Sequence, residues 1–456
     1  MKDSSFYENK IILAPMVRIG TLPMRLLALD YGADIVYTEE LIDFKLLRSV
    51  RQENDILGTI DYVDKTDGTI IFRTSPREKS KVVLQLGTSD PSRALEVGKL
   101  IENDVAAIDI NMGCPKKFSL LGGMGAALLK NSERAQEILK ILVDNLSIPV
   151  TCKIRVFNDI EKTYELVDKL VSTGISAIGI HGRTPDERPQ HNNRNEYLKK
   201  IAERINIPVI ANGGSKDIEK YNDIGKFKKS TGCTSVMIAR AAQWNCSIFR
   251  KQGLLPIDDI VRAYLKYSVD YNNPPANTKY CVQNIIRELQ ETPMGKVFLA
   301  AQTLEQICDV WDLADYCREK TLEYQKAGLQ GRFQVIPISR KENNENNGKR
   351  KFDDDDDIVE LKCAFMRNAY TTDGDLPKTK LLNWLRDKKN LKAPLYKTWC
   401  EDKLFRSIVT VEGRKYSSTF WEKSKKWAEQ GAAIVCLYSF GLITDETLVK
   451  TGSILG

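Results

Sequence analysis

An alternation in the first ~250 residues limits what this chain can fold into more than any other feature. Short apolar, β-rich runs are separated by longer stretches of helical character. The runs are Ile11–Ala14, Ile35–Thr38, Val82–Leu86, Ala106–Ile110, Val150–Ile154, Ala177–Ile180, Val209–Ala211 and Ser235–Ile238. Continuous apolar strands with helices between them read as a sheet buried on both faces, and therefore parallel. Eight such units in about 250 residues predict a (β/α)8 TIM barrel. No G-x-G-x-x-G follows the first run, which sets aside a doubly wound dinucleotide-binding sheet.

The pattern then changes. From Pro256 to about Arg332 it is helical, over Asp258–Tyr271, Thr278–Leu289 and Leu304–Leu329. Residues Pro337–Asp357 read as a linker, because SRKENNENNGKRK is poor in apolar residues and Asp353–Asp357 is an acidic run that cannot be buried. Beyond it the expected order is helix Lys378–Lys389, strands Leu395–Glu401, Phe405–Val411 and Arg414–Thr419, and helix Trp421–Tyr438. Glu412-Gly413 serves as the hairpin turn. The expected divisions are a barrel over 1–255, a helical domain over 256–336, the linker over 337–357, an α+β module with an N-terminal extension over 358–445, and a tail over 446–456.

Composition narrows the setting. With 456 residues, 42% of them hydrophobic, the chain can bury large cores in several domains. No apolar run reaches the roughly 18 residues a membrane span needs. Met1–Lys10 is polar and carries two acids, which does not read as a signal peptide, so cytoplasm is the expected compartment, with GKRK (Gly348–Lys351) too short for a nuclear signal. Ten cysteines form no C-x-x-C pair and the only histidines are His181 and His191, so no metal site is expected. From Asp375 to Gly456 there are fifteen Lys and Arg against nine Asp and Glu, which leaves only +1 of the net +7 for the rest of the chain. A basic module on a near-neutral body points to a polyanionic partner.

In a barrel the chemistry sits at the C-terminal ends of strands. Those positions hold Met16-Val17-Arg18, Glu39-Glu40, Gln85, Asn111 to Pro115, Lys153 with Arg155, His181-Gly182-Arg183, Asn212-Gly213-Gly214 and Ala239-Arg240. The last two lie where such barrels hold phosphate: Asn212-Gly213-Gly214 lets backbone N–H groups approach an anion, and Arg240 can grip it bidentately. Gln85 and Lys153 suit the polar edge of a flat heterocycle. Cys114 can be a nucleophile, a proton donor or a buried thiol; a free thiol, with a pKa of about 8.5, is mostly protonated at neutral pH.

These residues carry a resemblance. LAPM (Leu13–Met16), NMGCP (Asn111–Pro115) with GGMGAALL (Gly122–Leu129), CKIR (Cys152–Arg155), HGRT (His181–Thr184), ANGG (Ala211–Gly214) and ARAA (Ala239–Ala242) resemble the tRNA dihydrouridine synthase family. The arrangement is most similar to the eukaryotic branch that modifies position 20 of the D-loop. The resemblance implies FMN on the barrel mouth, lined by Met16, Val17 and Arg18, with Gln85, Lys153 and His181 at the ring and Glu40 nearby. Asn212, Gly213, Gly214, Ala239 and Arg240 would hold its phosphate. It implies NADPH as reductant, hydride transfer from flavin N5 to uracil C6, a proton from Cys114 to C5, and Asn111, Lys153 and Arg155 near the target base.

The C-terminal module, in its α-β-β-β-α order, is similar to double-stranded RNA-binding domains. The likeness implies that Lys423, Lys425 and Lys426 meet phosphates, with Lys362 and Arg367 extending the surface towards tRNA. Two competitors stay open at this point: a flavin barrel dehydrogenase acting on a small molecule such as dihydroorotate, and a non-catalytic RNA-binding platform.

Overall fold

The computed structural model describes residues 4–65, 68–329, 357–370, 372–387, 392–402 and 404–453. All eight apolar runs are strands of one closed parallel barrel. They are β1 (Ile11–Leu13), β2 (Ile35–Ile42), β6 (Val82–Gly87), β7 (Ala107–Met112), β8 (Val150–Arg155), β9 (Ala177–His181), β10 (Val209–Asn212) and β11 (Ser235–Ile238). β1 closes the barrel between β2 and β11. Between β2 and β6 the chain makes an excursion that the alternation does not reveal, a three-stranded sheet of β3 (Ser49–Asn54), β4 (Thr59–Asp64) and β5 (Ile70–Thr74). Its strands mix polar and apolar residues, so no continuous apolar run marks them.

Inward-facing Ile12, Ala14, Ile35, Tyr37, Val83, Ala107, Ala177, Ile210 and Met237 pack into one apolar cluster. Tyr7, from the 3-10 turn Ser4–Tyr7, is buried among them. Each of the larger aliphatic side chains among them contributes about 1.5–3 kcal/mol on burial, so the lower barrel is a plug and the upper rim is free to be polar.

The chain divides into two compact units, Met1–Tyr62 with Ile71–Gly295, and Val63–Ile70 with Lys296–Gly456. In the first, helices Ile257–Asp270 and Pro275–Ile286 follow the barrel. The second starts earlier than Thr278 because Pro275 is pre-shaped for a first helical position. It stops at Ile286, where Arg287 takes φ +45°, and a 3-10 turn Arg287–Glu291 follows. Helix Pro293–Ala300 escapes the sequence pattern. The stretch expected as one helix over Leu304–Leu329 is two, Leu304–Asp309 and Ala314–Lys326, broken where Asp312 sits at φ +59°.

The second unit also holds helix Pro377–Asp387, strands β13 (Leu395–Glu401), β14 (Leu404–Val411) and β15 (Arg414–Ser418), and helix Lys425–Ser439. This is the α-β-β-β-α order of a double-stranded RNA-binding fold. A further strand, β12 (Ile358–Leu361), adds in parallel to β15 and completes the sheet order β12-β15-β14-β13. The β14–β15 hairpin turns at Glu412 and Gly413, both left-handed at φ +50° and +80°.

The closing helix begins at Lys425, not Trp421. Glu422 and Phe405 exchange backbone hydrogen bonds of 2.6 and 2.7 Å, which keeps that stretch extended until Ser424 caps the helix. Helix Asp445–Lys450 crosses the expected boundary between module and tail, and its Leu448 enters the domain core. The expected linker lies outside the described residues apart from Asp357, and so does GKRK. No helix among the described residues is long and apolar enough to cross a membrane.

Candidate active site

Parallel register stacks the rim residues in layers. Residues paired across parallel strands face the same side of the sheet. Glu40, Gln85, Asp109 and Thr151 pair in one row, Asn111, Lys153 and Gly179 in the next, and Arg155, His181 and Asn212 in the third. Period-2 spacing along β7, β8 and β9 puts the three rows on the same face. Gly179 beside Lys153 leaves room for the lysine stem, which a Cβ at that position would approach to 3.3 Å.

The lower rows form one hydrogen-bonded network. Thr151 Oγ1 donates to Asp109 Oδ1 (2.7 Å), and Gln85 Nε2 donates to Asp109 Oδ2 (2.8 Å). Asn111 Nδ2 donates to Gln85 Oε1 (3.2 Å), and Asn111 Oδ1 accepts from the backbone N–H of Gly113 (2.9 Å) and of Cys114 (3.0 Å). Arg155 Nε donates to the Gly113 carbonyl (2.9 Å), so the start of the Cys114 loop is held from two strands.

Burial sets the electrostatics. It lowers the Lys153 ammonium to about 8, helped by the neighbouring Arg155 and opposed by Asp109. It raises the Asp109 carboxyl to about 6, against the hydrogen bonds from Gln85 and Thr151. It also raises the half-buried Cys114 thiol, and the Glu40 carboxylate beside it raises it further. Burial raises Glu40 as well, against a hydrogen bond from the Cys114 thiol. His181 is pushed well below its usual value by burial and by the cations around it, Lys153 first. Its Nε2 lies 3.1 Å from Arg183 Nη1, and a guanidinium only donates, so this nitrogen is the acceptor of a neutral ring.

A cavity of about 380 Å³ opens beside this network and gathers Arg155, His181, Asn212, Gly213, Gly214, Ala239 and Arg240, with Pro115 and Lys116 from the Cys114 loop. Gly213 has φ +109°, and a Cβ there would overlap Asn193 and His181. Arg240 opens helix Arg240–Trp244, is exposed, and makes no ion pair with a described residue. A free guanidinium beside a glycine turn is a donor set suited to a phosphate.

Met16, Val17 and Arg18 form the tight turn after β1 and do not line the cavity. The Met16 carbonyl accepts from Ile19 (3.0 Å) and Gly20 (2.9 Å), and the Arg18 N–H donates to Glu39 Oε2 (2.8 Å). Val17 is 56% exposed.

In the second unit Lys362, Lys423, Lys425 and Lys426 are exposed, and Lys425 and Lys426 open the closing helix. Arg367 is tied to the Tyr370 carbonyl (2.7 Å) and to Asp373 (3.3 Å). The sequence reading misses Asp109 and gives Arg183 no role. An acid inside the apolar run Ala106–Ile110 is a legible signal in hindsight, because a buried carboxylate needs partners. Arg183 is marked in the sequence only by its place at a strand end; it is buried and donates to the carbonyls of His191 (2.9 Å) and Gly213 (2.8 Å). Among the described residues no cluster of three His, Cys, Asp or Glu could hold a metal.

Comparison with known proteins adds an independent finding. Residues 12–259 match the family model described as dihydrouridine synthase. The tRNA-dihydrouridine(20) synthase [NAD(P)+] of Schizosaccharomyces pombe is 38% identical over 317 residues, 67% of this chain and 66% of that protein. Its counterpart of the same description in Saccharomyces cerevisiae is 36% identical over 61% of this chain and 78% of its own length. The chain thus spans just under two thirds of the first relative. The crystallised dsRBD of a human tRNA dihydrouridine synthase (20) is 49% identical over 18% of this chain and 88% of its own, with a TM-score of 0.18.

Proposed function

The chain belongs to the dihydrouridine synthase family, and from that premise we propose that it reduces uridine to 5,6-dihydrouridine in tRNA, at position 20 of the D-loop. FMN, when bound at the barrel mouth, would supply hydride chemistry for C6 of the uracil, with NADPH as the reductant. The residues present fit that cofactor. Asn212, Gly213, Gly214, Ala239 and the unpaired Arg240 would take its phosphate in the cavity. Gln85, Lys153 and His181 would meet its ring, with Glu40 close by and Met16, Val17 and Arg18 at the edge.

The chain's own residues supply the rest of the chemistry. Once C6 is reduced, the electrons of the former double bond form an enolate. Cys114 then gives its thiol proton to C5, and the S–H bond is exchanged for a C–H bond. The observation that carries this reading is the Cys114 thiol, held above its usual value on a loop anchored beside Lys153 and Arg155. A nucleophilic cysteine is arranged the opposite way, with its thiol lowered. Lys153 and Arg155 place positive charge where the enolate develops, and Asn111 holds the loop against the base.

Lys423, Lys425, Lys426, Lys362 and Arg367 would grip the tRNA from the C-terminal module, in the cytoplasm. We propose 1–255, 256–336 and 337–357 as limits for dissecting catalysis from RNA binding, with the module that starts at 358 carried past 445 to keep the helix whose Leu448 enters its core.

The test is direct. Anaerobic NADPH should bleach the flavin absorbance of the purified protein, and Cys114→Ala should keep flavin while losing nearly all dihydrouridine in a tRNA transcript. Colourless protein that cannot be reconstituted with FMN defeats the oxidoreductase reading, and full turnover by Cys114→Ala defeats the proton donor.

A further inference from the structure

Asp109 has no part in the chemistry above, yet it stands at the root of the hydrogen-bond chain that ends on the reactive thiol's own backbone. The chain runs from Asp109 to Gln85, from Gln85 to Asn111, and from Asn111 to the N–H of Cys114. Two of its links are amides, and an amide can present either end. A carboxylate can only accept. Asp109 therefore selects the Nε2 end of Gln85, which turns Gln85 Oε1 towards Asn111. That oxygen selects the Nδ2 end of Asn111, which turns Asn111 Oδ1 onto the N–H groups of Gly113 and Cys114. Thr151 donates to the second oxygen of Asp109, so the carboxylate cannot swivel away. Reversing either amide would set donor against donor in a buried layer, where an unmade hydrogen bond is most costly.

We propose that Asp109 is a positioning residue: it sets the polarity of the Gln85–Asn111 amide pair and thereby holds the Cys114 loop in its anchored conformation. Without it the amide pair is fixed from one end only, by the N–H groups of Gly113 and Cys114, so Gln85 and Asn111 turn over in part of the population and Cys114 then loses the acceptor for its N–H. The thiol then leaves its half-buried place more often. The inference builds on Cys114 as the proton donor but is tested on the thiol itself. Retained turnover in Cys114→Ala would defeat the donor reading and leave the labelling result below intact.

The experiment is iodoacetamide alkylation of the full-length protein at fixed pH, with each cysteine followed by peptide mass spectrometry and folding checked by circular dichroism. Asp109→Leu, similar in size but unable to accept, should raise the Cys114 rate about tenfold, the worth of one hydrogen bond. Asp109→Asn should stay near the wild-type rate, because its Oδ1 can still accept from Gln85 while the Thr151 hydroxyl rotates to accept. Cys152, buried on β8 next to Thr151, should stay protected in both. An unchanged Cys114 rate in folded Asp109→Leu overturns the proposal. So does Asp109→Asn behaving like Asp109→Leu, or Cys152 opening in parallel, which would mark general loosening of the barrel. If Asp109→Leu does not fold, Gln85→Leu carries the test by cutting the chain one link later; a raised Cys114 rate supports the proposal and an unchanged rate overturns it.

Discussion

Two titratable side chains on the rim are held away from their ordinary titration ranges by the same burial, and each makes a separate prediction. Lys153 is lowered to about 8. A base depressed in the folded state contributes stability that is present above its unfolded value, about 10.4, and lost as the pH falls through 8. Lys153→Met should therefore melt higher than wild type at pH 7 in the absence of flavin, with the difference fading by about pH 10. The gain should be about 1–2 kcal/mol, since Asp109 loses a compensating cation. A lower melting temperature at pH 7 would refute the burial argument. Cys114 is raised, first by burial and then by Glu40. Glu40→Gln removes the second cause, so the pH profile of Cys114 alkylation should shift towards lower pH. A profile that stays in place would show that the carboxylate does not reach the thiol.

At the scale of elements, two local devices in the C-terminal unit can be weighed. Glu412 occupies a left-handed position that Asn and Gly tolerate better. Glu412→Asn should stabilise that unit by about 0.5 kcal/mol in thermal unfolding, and destabilisation would mean the side chain has a contact that outweighs its backbone strain. Ser424 accepts from the N–H of Trp427 (3.2 Å) at the start of the closing helix. Ser424→Ala should cost about 1 kcal/mol and fray the turn that carries Lys425 and Lys426. Both devices are made by residues adjacent in sequence, but only the first is placed by them. The Glu412-Gly413 turn is legible from the chain alone for that reason, whereas the helix start is not. Whether Trp421 and Glu422 continue the helix or pair with β14 depends on Phe405, a residue distant in sequence.

For the molecule as a whole, the uneven charge is the feature with a measurable consequence. If the module supplies the grip on tRNA, replacing Lys423, Lys425 and Lys426 together with Ala should flatten the salt dependence of binding. The slope should fall by about two to three units, close to one counterion released per phosphate contact. Turnover at low salt and saturating tRNA should change far less. An unchanged slope would remove these lysines from the interface.

The amino-acid sequence by itself determined the barrel, because a strand buried on both faces must be apolar throughout and eight such runs at helical intervals leave one economical closure. It also determined which residues stand on the rim, since a strand end is a local property. Only the tertiary structure decided what those residues are to each other. Asp109, Gln85, Asn111 and Cys114 lie on neighbouring strands or the loop that follows, and register alone puts an acceptor opposite a particular amide. Burial, which moves Lys153, Asp109 and Cys114 from their usual ionisation, comes from layers built by the whole chain. The sequence places Arg183 at a strand end, but not its partners, which are backbone carbonyls that come within reach only when the loop after β9 and the turn after β10 are folded against each other. Periodicity is carried by neighbours in sequence, whereas polarity and pKa are carried by neighbours in space.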